Sequence, residues 1–572
     1  MSCKGTTVLH AWIRFWVLQQ CLMLYAAGIS LPINAVQVLL LGALGAFPST
    51  PLACVSLCVR LSATLHKMPF VWDSYYWCLQ TDLVLLLALL PALARRCSAN
   101  TALFTASRTI RVQLALFYLG AGFWKINTSF IHPRYSCAPI FFLQLLASYT
   151  PLWLEPPAAT LQLVAHAAPG MTIAGELAIG VLLLSSGAMA RLGVCIALLL
   201  HFGIALTPPP NDAVSFSVAS VTRLLLTIPT GTSFVHTELV ALVMPSATPR
   251  STSTSSSPHR LRGTLPAAAA VVCGSVAARM VLERVRSHPR MSNASLNPSV
   301  AYFGALVVLT VRAVIADGGP QRRERIAERG SFYNAYVHLG FISLAFAYSF
   351  VFIILGVQDL GAPNMYSNLR MHAGSNHFFM STSFLQHRLA ATTGSAFSGG
   401  VVRIESTDSL WFRQLYPAEL TSDFTARERR FMKTAGHSAR MFNGGKARVL
   451  GINSIPPPAA MPLARYSLHA LELRRLLGEA RQRNEKFNLR YTRLAGSNGN
   501  ESWRINGSGS VVDLEEDGNG GRRCHVDGKE CTADEIPLLP APSYWELKLV
   551  LGQPYPILTP EDGQSELHCF GP

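Results

Sequence analysis

Long apolar runs alternate with short polar segments over the first 360 residues. An apolar run of about 18 or more residues can cross the hydrocarbon core of a membrane as a helix. The pattern predicts spans at 9–30, 33–47 with 52–65, 75–94, 107–126, 170–189, 191–208, 213–229, 265–282, 299–315 and 336–357. The run 139–165 contains three prolines, which indicates a re-entrant or broken segment. Residues 1–360 are therefore predicted to form an α-helical multi-pass membrane bundle.

The pattern changes to period-two alternation in residues 361–572. Strands are predicted at 401–405, 486–491 and 545–551, where apolar and polar residues alternate. The stretch 466–483 carries leucines at helical spacing and predicts an amphipathic helix. The tail is thus predicted to be a β-rich domain with one amphipathic helix. Within the membrane part, the Ser/Thr-rich stretch 246–263 is predicted to be a flexible loop.

Composition supports a membrane protein, since 50% of the residues are hydrophobic and only 14% are charged. Soluble proteins carry about a quarter charged residues. Residues 1–360 hold 24 Lys/Arg and 11 Asp/Glu, so most of the net charge of +16 lies there. These arginines cluster between apolar runs, as at 322–329, which is typical of loops kept in the cytosol. No basic patch with interleaved aromatics is present, so membrane lipid is the expected partner and nucleic acid is not.

Four glycosylation sequons give a second indication of orientation: Asn127, Asn293, Asn500 and Asn506. With the basic loop 322–329 in the cytosol, the span 336–357 runs outward and places the tail in the lumen. Counting back through the predicted spans places the two earlier sequons on the same side. The chain is therefore predicted to be a multi-pass membrane protein of the endoplasmic reticulum, with a lumenal C-terminal domain and four glycosylated asparagines.

Cysteines fall into two groups. Nine lie in the membrane part, where a buried thiol is usually a small apolar side chain. In a lumenal tail, Cys524 and Cys531 are candidates for a disulfide across a short turn. The alternative is a metal site built from Cys524, His525, Cys531, His568 and Cys569. Their spacing fits no compact zinc template, so no metal is predicted.

Ionisable groups within membrane spans are functional candidates, because burying them there is expensive. Five stand out: Asp82, Lys125, Glu176, His201 and Arg223. Lys125 ends an apolar run, as either a lysine snorkelling to the interface or a desolvated lysine able to remove a proton. His201 is either a residue bonded to a neighbouring helix or a catalytic group. Glu176 and Arg223 could neutralise each other, and the role of Asp82 remains open.

The segment 120–130 (GAGFWKINTSF) resembles the membrane motif of vitamin K-dependent γ-glutamyl carboxylases. In that motif an Ala–Gly pair is followed by lysine, a branched apolar residue and Asp or Asn. Other stretches look similar in the same order: residues 41–45, Glu176 before an apolar run, residues 191–202 and residues 366–377. The wider group is the HTTM-domain membrane proteins, and the resemblance covers most of residues 35–380.

The resemblance implies an enzyme that couples oxidation of reduced vitamin K to carboxylation of protein glutamate. Carbon dioxide and oxygen would be co-substrates, and a glutamate-containing protein would be the substrate. Lys125 occupies the position of the catalytic base, while His201, Glu176 and Asp73 are candidates for binding substrate or quinol. Asp73 lies where the family has an Asn–His pair, and Trp124 replaces a second lysine. The alternative is a non-enzymatic HTTM-domain protein whose lumenal tail binds a partner.

Overall fold

The computed structural model describes most of the helical region and part of the tail. The described residues are 8–27, 32–68, 73–151, 153–208, 214–228, 307–308, 310–311, 314, 335–354, 365–371, 375–380, 401–413, 415–443, 466–494, 510–533, 535–543, 557–559 and 566–571. The loop predicted at 246–263, the span at 265–282, most of the span at 299–315 and the strand at 545–551 lie outside them. So do the sequons at Asn293, Asn500 and Asn506.

The described part of residues 1–360 is helical, as the apolar runs predict. The helices are α1 (Val8–Ala27), α2 (Pro32–Ala46), α3 (Thr50–Lys67), α4 (Asp73–Leu93), α5 (Ala99–Trp124), α6 (Thr128–Ile131), α7 (Cys137–Tyr149), α8 (Ala158–Leu184), α9 (Gly187–Leu206), α10 (Val214–Leu224) and α11 (Ala335–Phe346). A π-helical turn, Ala347–Val351, continues α11 into Phe352–Ile354. Within the described residues, four helices are long and apolar enough to cross a membrane: Tyr75–Leu93, Ala158–Leu184, Gly187–Leu206 and Tyr336–Ile354.

The break predicted within 139–165 is confirmed, but its position corrects one predicted span. Helix α7 ends at Tyr149 and α8 begins at Ala158, so the interruption is confined to the proline-containing segment between them. Helix α8 therefore begins 12 residues before the predicted start at 170. It also continues through Pro169. Membrane helices tolerate an internal proline because neighbouring groups satisfy the freed backbone atoms.

Glycines allow α5 and α8 to approach each other closely. A Cβ atom at Gly122 would lie 2.8 Å from Cγ of Leu177, and one at Gly180 would lie 2.6 Å from Cγ of Leu119. Small residues at such crossings let two helix backbones pack at short distance in a membrane. Gly122 belongs to the segment that resembles the carboxylase motif, so this packing fixes the position of the residues that follow it.

A Gly180→Ala substitution is expected to destabilise the bundle by about 1–3 kcal/mol, because the new methyl group overpacks the crossing. Thermal and denaturant unfolding of the purified protein in detergent measure this loss. Gly175→Ala is the matched control on the same helix, since its Cβ would meet nothing within 4 Å. An equal loss in both variants would show that the close crossing is not what Gly180 provides.

The tail contains an antiparallel sheet with the strand order β8-β7-β6-β5-β1-β4-β9. Its strands are β1 (Val401–Thr407), β4 (Tyr466–His469), β5 (Lys486–Leu494), β6 (Val511–Asp517), β7 (Arg522–Val526), β8 (Lys529–Glu530) and β9 (Ile557–Leu558). A second sheet contains β2 (Ala418–Glu419), β3 (Met441–Asn443) and β10 (Cys569–Gly571). The tail helices are α12 (Leu410–Arg413), α13 (Ala426–Thr434) and α14 (Ala470–Gln482). The strands predicted at 401–405 and 486–491 are thereby confirmed.

The helix predicted at 466–483 begins four residues later than expected. Tyr466–His469 is strand β4, which pairs with both β1 and β9, and the helix α14 starts at Ala470. A short apolar run at the start of a helix has no periodicity that distinguishes it from a buried strand. The amphipathic helix itself is confirmed, because Leu473, Leu476 and Leu477 are buried in one core with the sheet.

Candidate functional site

Lys125 is a buried member of an ion pair at the end of α5. It is the C-cap residue of that helix, and only 6% of its surface is exposed. Its Nζ lies 3.0 Å from Oε1 and 2.9 Å from Oε2 of Glu176 on α8, and donates to the carbonyl oxygen of Ala121 at 3.3 Å. The structure thus brings together two of the predicted site residues, Lys125 and Glu176. The Lys125 side chain does not extend to solvent, as a snorkelling lysine would.

The suggested pairing of Glu176 with Arg223 is wrong, because each residue has a different partner. Glu176 pairs with Lys125, whereas Nη2 of Arg223 lies 3.0 Å from Oδ1 of Asp82. Arg60 makes a second ion pair with Oδ2 of Asp82 at 3.1 Å. Helix packing decides this arrangement, since Asp82 on α4 lies between α3, which carries Arg60, and α10, which carries Arg223.

The Asp82 cluster, formed by Asp82, Arg60 and Arg223, is buried and rich in hydrogen bonds. The three residues are 0%, 6% and 1% exposed. Arg223 also donates to Oγ1 of Thr81, Oε1 of Gln19 and its own helix at the Ala219 carbonyl. Its guanidinium carbon lies 5.1 Å from the ring centroid of Trp77. The cluster connects α1, α3, α4 and α10.

His201 is bonded to a neighbouring helix, which is one of the two interpretations that the sequence leaves open. Its Nε2 lies 2.6 Å from the hydroxyl oxygen of Tyr118 on α5. The side chain is 1% exposed and its ring centroid is 5.4 Å from that of Phe216. Nδ1 has no hydrogen-bond partner among the described residues. Tyr118 is not identified by the sequence analysis, although its spacing of seven residues from Lys125 places both on one face of α5.

Asn127 lies between α5 and α6, where its side chain makes structural hydrogen bonds. A glycan on this side chain is incompatible with those contacts. Asn127 is 0% exposed, and its Nδ2 donates to the carbonyl oxygens of Trp124 and Ser367 at 2.8 Å each. Its Oδ1 accepts from the backbone N–H of Phe130, which caps α6. The sequon prediction at this position is corrected, because glycosylation would require the side-chain nitrogen that bonds these two carbonyls.

Two segments of the tail contact residues on either side of Lys125. Nε2 of His377 lies 2.9 Å from the carbonyl oxygen of Phe123, and Nδ2 of Asn376 donates to Oγ of Ser129 at 3.0 Å. The hydroxyl of Ser129 in turn donates to Oε2 of Glu566 at 2.7 Å. The end of α5 is therefore held by residues from both ends of the tail.

Two disulfides are formed among the residues that the structure describes, and one of them was predicted. The Cys524–Cys531 bond is confirmed. Cys137 at the start of α7 bonds to Cys569 of β10, so it is not an isolated apolar thiol. The alternative metal site is not formed, since its three cysteines lie in two separate disulfides. In the part of the chain that the structure describes, no group of three or more His, Cys, Asp or Glu could hold a metal ion.

The disulfides are consistent with an extracytoplasmic C-terminal region, where oxidising conditions maintain them.

Asp73, the remaining predicted site residue, is the first residue of α4. Its side chain lies outside the part that the structure describes, so its role in a site stays a prediction.

Comparison with known families finds one match, within the tail. Residues 375–548 match a domain of unknown function (DUF8388). No curated protein and no solved structure matches the chain.

Proposed function

We propose that the protein is a membrane enzyme of the γ-glutamyl carboxylase type, with Lys125 as its base. The observation that supports this proposal is the buried Lys125–Glu176 ion pair at the end of α5, within the segment that resembles the carboxylase motif. Bound reduced vitamin K would supply, with oxygen, the strong base that removes a glutamyl γ-proton before carbon dioxide adds. A lumenal tail in the endoplasmic reticulum would present the glutamate-containing protein.

The ion pair suits a lysine that must give up and regain a proton. Burial penalises charged groups, and two buried charges compensate each other only when geometry is good. Transfer of one proton from Nζ of Lys125 to the Glu176 carboxylate converts two ions into two neutral groups. The neutral amine so formed is the state that can take a proton from a quinol hydroxyl. Exclusion of water at this site would protect the glutamyl carbanion from quenching.

The surroundings of the pair fit an aromatic ring. Nζ of Lys125 lies 5.9 Å from the ring centroid of Phe130. Further from Lys125 on α5, the ring of Phe117 packs with those of Trp77, Tyr118 and Phe216. The quinol would bind against these rings, and Nδ1 of His201, which has no partner among the described residues, would supply a hydrogen-bonding atom. His201 and Glu176 are therefore the proposed quinol-site residues beside Lys125.

An activity assay on purified protein in nanodiscs tests the proposal. Reduced vitamin K, labelled bicarbonate and a glutamate-rich peptide are supplied, and the epoxide and the carboxylated peptide are both measured. Lys125→Ala is expected to abolish both products, because the base is removed. Lys433→Ala, at an exposed lysine of α13, is the matched control and should retain both.

The Lys125→Ala variant leaves Glu176 buried without its partner, which could unfold the protein. A Lys125→Met/Glu176→Gln double variant removes both charges and retains similar shapes, so it separates catalysis from folding. Epoxide formation by the folded double variant would contradict the assignment of Lys125 as base.

The second candidate is a non-enzymatic HTTM-domain protein whose tail binds a partner. This candidate is favoured by the tail's own hydrophobic core, in which sheet residues such as Val402 and Phe487 pack with α14. It predicts that the wild-type protein forms neither product in the assay above. It also predicts that Lys125 variants retain cellular function, whereas deletion of 375–572 removes it.

A further inference from the structure

The tail packs against the last turns of a membrane-length helix. Met371 is buried in one core with Trp124 of α5 and Ile353, and Met380 packs against the same core. Ile353 belongs to the span Tyr336–Ile354, which is long and apolar enough to cross a membrane. The tail therefore contacts the side of this span and does not only rest above its end.

The length of the span sets the depth of this contact. The span has 19 residues, about 28 Å at a rise of about 1.5 Å per residue, so nearly all of it is needed to cross a hydrocarbon core of about 30 Å. Nε1 of Trp124 donates to the carbonyl oxygen of Ser349 at 2.7 Å, and the ring of Phe123 lies 5.8 Å from that of Phe350. These contacts place the last turn of α5 about 7 Å inside the end of the span.

Residues 375–380 of the tail, which we call the wedge, are bonded to this end of α5. Nε2 of His377 lies 2.9 Å from the carbonyl oxygen of Phe123. The backbone N–H of Phe378 donates to the carbonyl oxygen of Ile126 at 3.3 Å. The wedge is therefore held at the depth of the last turns of the span, beside the helices that cross the membrane.

Two large apolar side chains of the wedge are exposed at this depth. Phe378 is 56% exposed and Phe379 is 71% exposed. Exposed apolar patches on a folded protein mark surfaces that contact a partner or a membrane. At the depth that the span sets, the surrounding medium is the boundary between lipid headgroups and acyl chains. Apolar side chains of interfacial segments enter this boundary by about 5–10 Å.

We infer that the wedge inserts Phe378 and Phe379 into the leaflet on the side of the membrane where the tail lies. The tail then binds the lipid surface directly, in addition to its contacts with the helices. The wedge has the sequence SNHFFM and contains no lysine or arginine, so its insertion does not require anionic lipid. This inference is independent of the proposed function, because it depends only on the membrane span and the contacts at its end.

Spin labels at single positions test the insertion. The amino acid p-acetylphenylalanine replaces Phe378 or Phe379 in the full-length protein, and its ketone is coupled to a hydroxylamine spin label, which leaves the cysteines unmodified. The labelled proteins are reconstituted in nanodiscs of phosphatidylcholine, a lipid without net charge. Collisions of the label with oxygen, which concentrates in lipid, are compared with collisions with a water-soluble nickel chelate.

Labels at Phe378 and Phe379 are expected to collide preferentially with oxygen. Leu199, which is 60% exposed on the membrane-length helix α9, is the lipid control and should show the same preference. Arg490, exposed on the tail strand β5, is the water control and should show the reverse preference. Thermal unfolding of each labelled protein, compared with the wild type, checks that the label has not disturbed the fold.

Hydrogen exchange in the same nanodiscs gives a second test that needs no label. Phe378→Ser/Phe379→Ser is expected to raise amide exchange across residues 375–380, because the wedge loses its apolar contact with lipid. Phe378→Leu/Phe379→Leu is the matched control, since it keeps apolar side chains at both positions and should retain the wild-type protection.

A preference for the nickel chelate at both wedge positions, as at Arg490, would show that the wedge lies in water and would overturn the inference. Low collision with both reagents would also overturn it, because protein, such as a second copy of the chain, would then cover the two rings. Wild-type protection in the double-serine variant would show that lipid contact does not hold the wedge in place. None of these results bears on Lys125, whose role is tested separately by turnover.

Discussion

Replacement of Asp82 by asparagine is expected to destabilise the membrane bundle by about 3–5 kcal/mol, the usual consequence of breaking a buried ion pair from one side. Asp82 is the carboxylate shared by Arg60 and Arg223, at 3.1 and 3.0 Å. Its removal leaves two buried guanidinium groups without an anionic partner among the described residues. Neither can reach water from its position, since both arginines are less than 10% exposed.

The cluster predicts an asymmetry between its members. Arg60→Gln leaves the Asp82–Arg223 pair intact, so its expected effect is smaller, about 1.5–3 kcal/mol for the lost charged hydrogen bond. Arg223 keeps its contacts to Thr81 and Gln19 in that variant. Denaturant titrations of the three purified proteins in one detergent give the comparison. The account of the cluster fails if Arg60→Gln is at least as destabilising as Asp82→Asn.

The helices and the two-part architecture can be predicted from sequence because they depend on local patterns. Apolar length predicts the membrane helices, and the predicted break before α8 follows from a cluster of prolines. The start of α8 at Ala158 is not predicted, because the sequence does not show that neighbouring helices accommodate Pro169. The strand β4 is missed for a similar reason, since its pairing with β1 depends on residues more than sixty positions away.

The free-energy cost of burying a charge in a membrane span identifies which residues form ion pairs there, but it does not identify their partners. Asp82, Lys125, Glu176 and Arg223 all form buried ion pairs, as expected for ionisable groups in membrane spans. The pairing of Glu176 with Lys125 is set by the α5–α8 crossing, which no local pattern encodes. Tyr118 escapes notice because a tyrosine in an apolar run looks like any other aromatic residue until its hydroxyl is found 2.6 Å from His201.

Short motifs also mislead when their meaning depends on tertiary structure. The sequon at Asn127 satisfies the local rule for glycosylation, yet the folded chain buries that side chain against Ser367. The two disulfides show the same contrast. Cys524 and Cys531 are separated by 7 residues and can be paired by inspection, whereas Cys137 and Cys569 are separated by 432.

Loss of the Cys137–Cys569 bond is expected to have the second large effect. Cys137→Ser/Cys569→Ser should destabilise the protein by about 2–5 kcal/mol, near the upper end of that range. The bond closes a loop that spans most of the chain, and the entropy removed from the unfolded chain grows with loop length. It also ties β10, which pairs with β3, to the start of α7, close to the contact between Glu566 and Ser129.

The Cys524→Ser/Cys531→Ser variant is the matched control, because its loop is short and its expected loss lies near the lower end of the same range. Unfolding of the two double-serine variants, measured side by side with the wild type, ranks the bonds. Hydrogen exchange adds a local test: residues 566–571 should lose protection in the Cys137/Cys569 variant and retain it in the control. If that segment stays protected without its disulfide, then the Glu566, Asn368 and β10 contacts suffice, and the bond does not anchor the tail to the membrane bundle.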